Sequence, residues 1–139
     1  PVQQTVSDDA ILALADGELL PLETVHDEVF GKKVMGDGVA FKLATDFITA
    51  PVNGELTTVF PTGHAFGITR SDGVEILVHI GINTVELNGA GFDVLAKAGE
   101  TVRAGQPIVK IDRDVIEEKG YDTTTMLIIT NANGKMINL

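Results

Sequence analysis

Cysteine and tryptophan are absent from this chain, and tyrosine occurs once. Without cysteine there can be no disulfide, no thiolate nucleophile and no sulfur ligand for a metal. Aromatic residues make up only 5% of the sequence, so any core has to be mainly aliphatic. Basic residues are scarce, 10 against 20 acidic ones, for a formal charge of −10. That balance argues against nucleic acid and anionic membrane surfaces as partners, and favours a basic protein. No apolar run approaches the ~18 residues of a transmembrane helix, and no signal-peptide pattern opens the chain. These absences predict a cytoplasmic domain, although a domain cut from a larger membrane protein would have the same composition. What is present is 139 residues, 44% hydrophobic, enough for one domain with a sizeable core. The 15 glycines and 5 prolines fit many short strands joined by turns.

The stretch Val74-Glu75-Ile76-Leu77-Val78-His79-Ile80-Gly81-Ile82 reads as a strand covered on both faces, because most of it is apolar and much of it β-branched. His79 lies in its middle, and a buried imidazole needs a hydrogen-bond partner. A second histidine opens the preceding apolar run, His64-Ala65-Phe66-Gly67-Ile68-Thr69. Between the runs, Arg70-Ser71-Asp72-Gly73 contains the Asp-Gly pair of a tight hairpin. A four-residue loop places His64 directly opposite His79, where Cβ atoms are ~4.5–5.5 Å apart. A two-residue loop makes the two diagonal neighbours on one face. A three-residue loop puts them on opposite faces, since a one-residue slip inverts every side chain. The even loops therefore predict two imidazoles on one face of one hairpin.

Along the chain, residues 1–10 read as a polar tail or linker and 11–139 as a single domain. His26 sits in a polar loop and reads as a solvated side chain. Strands are expected at 18–21, 39–43, 47–52, 55–60, 64–69, 74–82, 92–96, 108–111 and 126–130. Asn53-Gly54 reads as a hairpin turn between two of them. Residues 99–107 read as a glycine-bounded connection. One helical turn is expected near 83–87, and a short helix over 112–120, capped by Asp112 or Asp114 and ended by Gly120. Strands at this spacing predict an antiparallel β-sandwich or partly closed barrel with one or two short helices. Residues 50–55 and 99–108 each resemble pieces of biotinyl and lipoyl domains. A carrier of that kind needs a lysine at a hairpin tip, and neither Asn53-Gly54 nor Asp72-Gly73 carries one.

Taken together, these segments resemble the glucose-type IIA domain of the bacterial phosphoenolpyruvate-dependent sugar phosphotransferase system. The resemblance spans roughly residues 15–132. It rests on Val29-Phe30, the run from Val34 to Ala40 with its Gly36-Asp37-Gly38, Ala50-Pro51-Val52-Asn53-Gly54, Thr62-Gly63-His64-Ala65-Phe66, Leu77-Val78-His79-Ile80-Gly81-Ile82-Asn83-Thr84-Val85, and Gly99-Glu100-Thr101-Val102. No single piece is specific, but the ordered set is. Asn83 stands where members often carry Asp, and Gly63 where some carry a larger polar residue.

The resemblance implies a barrel-sandwich hybrid with a duplicated hybrid motif and a shallow site. It implies that His79 is the residue phosphorylated by phospho-HPr, that His64 is the second active-site histidine, and that the phosphoryl group leaves for a cysteine of a IIB domain. From there it reaches the sugar through a IIC membrane domain, so the IIA domain itself contacts no sugar. No cofactor and no metal are implied. The apolar rim of the family's docking face matches Val29, Phe30, Met35, Phe60, Phe66 and Leu77, with Asn83 and Val85 beside it.

The residues suit that chemistry. A phosphoryl carrier needs a nucleophile that is neutral near pH 7, and an imidazole is one. Thr62 and His64 alternate onto one face, so the Thr62 hydroxyl can hold one ring nitrogen while the other faces the phosphate. Gly81 is expected to let a backbone N–H approach the phosphate. Three rivals remain on the residues alone. Two mutually bonded core histidines would look the same. Two histidines fall short of the three or four protein ligands zinc usually takes, so a metal would need a partner's carboxylate. A regulatory IIA-like domain, fused to or acting on a sugar transporter, would use the same His79 chemistry.

Overall fold

The computed structural model describes residues 17–21, 37–43, 45–82 and 84–131; the expected tail at 1–10 and His26, Val29, Phe30, Met35 and Asn83 lie outside these. In chain order the elements are β1 (Gly17–Pro21), β2 (Asp37–Leu43), β3 (Phe47–Thr49), β4 (Gly54–Val59), β5 (Ala65–Thr69), β6 (Glu75–Ile80), a 3-10 turn (Thr84–Leu87), β7 (Phe92–Val94), β8 (Thr101–Val102), β9 (Pro107–Ile111), α1 (Arg113–Glu118) and β10 (Thr125–Asn131). They form two antiparallel sheets. The larger runs β1-β2-β10-β6-β5-β4-β8, and the smaller runs β3-β9-β7. This is the predicted β-sandwich with its short helix and helical turn.

Strand alternation explains the packing. On β6, Ile76, Val78 and Ile80 are buried among Phe41, Leu56, Phe66, Ile68, Leu127 and, from the smaller sheet, Ile48, Ile108 and Ile111. Leu77 and His79 point to the other face and are half-buried. That face has its own apolar cluster, in which Ala40, Met126 and Ile128 are buried and Leu77 and Ile82 pack against them. So β6 is fully buried on one face only; on the other Glu75 is exposed and Leu77 and His79 are half-buried, which corrects the expectation of a strand covered on both faces. The aliphatic character of the core follows from the composition, and Phe66 and Phe41 are the only aromatics buried in it among the described residues. α1 begins where Asp112 accepts a hydrogen bond from the Val115 amide, and the chain leaves it through Gly120 at φ 88°.

Two local readings are corrected. Asn53-Gly54 is not a hairpin turn. β3 pairs with β9 and β4 pairs with β5 and β8, so the dipeptide carries the chain from one sheet to the other. Asn53 Oδ1 accepts from the Ala104 amide at 2.8 Å, and Gly54 is needed for close approach, since a Cβ there would lie 2.4 Å from the Thr69 carbonyl oxygen. The 99–107 connection also holds a strand, β8, too short to show a two-residue period. The segments at 50–55 and 99–106 lie against each other: Ala50 donates to Gln106, Gly105 donates back to Ala50, and Gly54 pairs with Val102.

Candidate active site

The β5–β6 hairpin closes on three residues, Ser71-Asp72-Gly73, with the Arg70 amide donating to the Val74 carbonyl at 2.9 Å and Gly73 at φ 88°. Arg70 is buried, and its guanidinium grips the Asp72 carboxylate through Nε at 3.0 Å and Nη2 at 2.6 Å. This clasp fixes the odd loop, and both even-loop registers are overturned. Ala65, not His64, lies opposite His79.

The two imidazoles meet nevertheless, with ring centroids 5.1 Å apart and planes at 76°. The reason is that β5 starts at Ala65, so strand alternation does not govern His64. The chain reaches it through a turn in which the Gly63 amide donates to Phe60 and Gly63 takes φ 76°. A Cβ on Gly63 would press on Val94 and Phe92 at 3.0 and 3.1 Å, so this turn packs against β7 of the smaller sheet. The His64 carbonyl accepts from the Ile80 amide at 2.6 Å, which ties the turn to the end of β6. His64 is 3% exposed, and Phe60 stacks edge-on against it at 5.2 Å.

Each ring has a partner at Nδ1. Thr62 Oγ and His64 Nδ1 share a hydrogen bond 2.5 Å long, the contact expected from the sequence, although it is made within the turn and not along a strand. His79 Nδ1 lies 2.8 Å from the Gly81 carbonyl oxygen. A carbonyl only accepts, so Nδ1 of His79 carries the proton and the lone pair is on Nε2. Gly81 thus serves differently from the expectation. Its amide is already donated to the Thr124 carbonyl at 3.0 Å, and its own carbonyl is what holds His79.

The rim residues separate. Phe60 is 40% exposed and Val85 50%, and Leu77 is half-buried. Phe66 is completely buried in the core and offers nothing to a partner, which corrects its place in the rim. It faces inward with Ile68, two residues on, because a strand's side chains alternate. Sequence reasoning missed Thr84, which is fully buried and donates to the Ile80 carbonyl at 2.5 Å, and Asp122, whose carboxylate binds the Thr124 amide and hydroxyl at 2.8 and 2.7 Å. An Asp-x-Thr turn signature was the available sign of the second.

Burial pushes the pKa of His64 below its ordinary 6.5. The unfolded chain therefore takes up that proton first as pH falls. The unfolded state binds more protons in this window, so stability drops as pH goes below ~6.5 and is unaffected by this group above it. Urea midpoints at about pH 7.5 and 5.5 should show that loss, and a His64→Gln variant should show a smaller one. Equal losses in both proteins would contradict it.

A model of the phosphoenolpyruvate-dependent sugar phosphotransferase system family, EIIA 1, matches residues 9–134. A glucose-specific EIICBA component of that system from Staphylococcus carnosus is 42% identical over 129 residues, covering 93% of this chain and 19% of the relative. A glucoside-specific EIICBA component from the same organism is 39% identical, covering 100% of this chain and 22% of the relative. The chain thus spans about a fifth of the length of these curated relatives. Among solved structures, the glucose permease IIA from Mycoplasma capricolum superposes with a TM-score of 0.89 at 41% identity, covering 94% of this chain and 84% of that one.

Proposed function

This chain belongs to the EIIA 1 family of the phosphoenolpyruvate-dependent sugar phosphotransferase system, and from that premise we propose that it is a phosphocarrier that takes a phosphoryl group from phospho-HPr on His79 and passes it to a cysteine of a IIB domain. The observation that carries the reading is the pair of imidazoles 5.1 Å apart, one of them with its proton held at Nδ1 by a carbonyl. The Nε2 lone pair of His79 attacks phosphorus as the donor's N–P bond breaks. With Nδ1 keeping its proton, the phosphorylated ring carries positive charge, which the Gly81 carbonyl steadies. A cationic ring is a good leaving group for the next transfer, in which a IIB thiolate forms the S–P bond and the N–P bond breaks. The chain has no cysteine of its own, so the acceptor thiolate must come from elsewhere.

The incoming group brings ~1.5–2 negative charges and three acceptor oxygens next to His64. With Thr62 donating to Nδ1, His64 presents an Nε2–H to those oxygens. The new anion also favours the imidazolium form of a ring that burial had kept neutral. Phe60, Leu77 and Val85 belong to the docking face for HPr and IIB, in which apolar contacts surround a polar centre; Val29, Phe30, Met35 and Asn83 are assigned to it by the family resemblance alone. The domain works on the cytoplasmic side, possesses no contact with the sugar, and serves IIB and IIC domains of the kind named in its EIICBA relatives. Incubation with phosphoenolpyruvate, enzyme I and HPr should add one acid-labile, base-stable phosphoryl group by intact mass, with an N–P signal in phosphorus NMR. A folded protein that stays unmodified would overturn the reading.

A further inference from the structure

We infer that Asp122 and Thr84 are positioning residues that lock the tautomer of His79 through the backbone of Gly81, an inference that rests on the phosphocarrier reading for its importance. The loop after β6 is held at each peptide group around Gly81. Before it, the Ile80 carbonyl accepts from the Thr84 hydroxyl, which is completely buried. At it, the Gly81 amide donates to the Thr124 carbonyl at 3.0 Å. After it, the Ile82 amide donates to the Asp122 carbonyl, also at 3.0 Å. Both accepting carbonyls belong to one turn, and the Asp122 carboxylate closes that turn by accepting from the amide and hydroxyl of Thr124 through a single oxygen, Oδ1. The turn leads straight into β10, whose Thr125 and Met126 pair with Ile80 and His79. A second tie runs alongside, from the Tyr121 hydroxyl to Glu86 Oε2 at 2.9 Å.

With the Ile80–Gly81 and Gly81–Ile82 peptides both fixed, the Gly81 carbonyl has one direction left, toward His79 Nδ1 at 2.8 Å. The direction of that oxygen decides which ring nitrogen carries the proton. Neither Asp122 nor Thr84 needs to touch the phosphoryl group to affect its transfer. They act by keeping Nδ1 protonated and Nε2 nucleophilic.

Nitrogen NMR of the imidazoles in the unphosphorylated full chain tests this directly. The parent protein should show His79 as a single Nδ1–H tautomer. Asp122→Ala and Thr84→Val should each give a mixture of tautomers and lower the rate of phosphorylation by phospho-HPr about fivefold to tenfold, the worth of one ordinary hydrogen bond. Asp122→Asn keeps an oxygen acceptor for Thr124 and should restore both readouts, which a merely folded-state role for the carboxylate's charge would not. His79 remaining a single Nδ1–H tautomer in a folded Asp122→Ala protein would overturn the inference. A parent protein that takes no phosphate would overturn the phosphocarrier reading instead, while the ring signals would still decide the clamp.

Discussion

A His79→Ala variant takes no phosphoryl group from phospho-HPr, whereas a His64→Gln variant accepts one and hands it on to IIB about 10²-fold more slowly. The first half follows because His64, the other histidine among the described residues, is almost fully buried with its Nδ1 tied to Thr62, and the chain has no cysteine. The second half follows from what glutamine can and cannot do. Its amide still offers an N–H near the place of the His64 ring, enough to tolerate a bound phosphate. It cannot take up a proton, so it cannot answer the charge that builds as the N–P bond loosens. Single-turnover transfer from the phosphorylated variant to IIB reads this rate directly. Unchanged onward transfer in His64→Gln would remove His64 from the mechanism. Unfolding of either variant is checked by its heat-denaturation midpoint, and loss of His64 should disturb the fold little, because among the described residues its buried ring is tied through Thr62 and its stacked neighbours.

Gly81→Ala has the largest expected effect on the fold of any substitution at the site, about 2–5 kcal/mol of lost stability. The residue sits at φ 77°, which costs an L side chain ~1–2 kcal/mol by itself. The added Cβ would also lie 2.4 Å from Thr84 Cγ2 and 2.8 Å from the Asp122 carbonyl oxygen, and the latter is backbone that cannot swing away. The loop must shift, and with it the carbonyl that holds His79, so phosphorylation should fall together with stability. Gly99→Ala is the control. Its φ of 95° is equally unfavourable but nothing lies within 4 Å of the new Cβ, so it should cost only ~1–2 kcal/mol and leave phosphorylation unchanged. Urea denaturation of the two variants separates backbone strain from crowding. Equal losses would mean the packing around Gly81 yields easily.

Much of this was legible in the residues. The apolar, β-branched run of 74–82 marks β6, Asp112 and Gly120 bracket α1, and the Thr62-x-His64 spacing anticipates the hydrogen bond that holds the second ring. Scarcity of aromatics settled the aliphatic character of the core, and absence of cysteine excluded a thiolate nucleophile. Those are local or compositional facts, and local chemistry is written in order along the chain. The rest depends on which segments come together. Asn53-Gly54 has the residues of a hairpin turn, but β9 and β8 compete for its flanking strands and win, because pairing with them closes the sandwich. The odd β5–β6 loop depends on a buried Arg70–Asp72 clasp, and with it the register moves by one residue. His64 still reaches His79 only because its turn leaves the strand and packs on β7, 28 residues further along at Phe92. Sequence alone determined that two histidines, one on a stiff strand, are the candidates for the chemistry of this protein. Only the tertiary structure decided which nitrogen of His79 carries the proton, because that rests on the direction of one carbonyl, and a segment some forty residues away at Asp122 and Thr124 sets it through hydrogen bonds that no local pattern encodes.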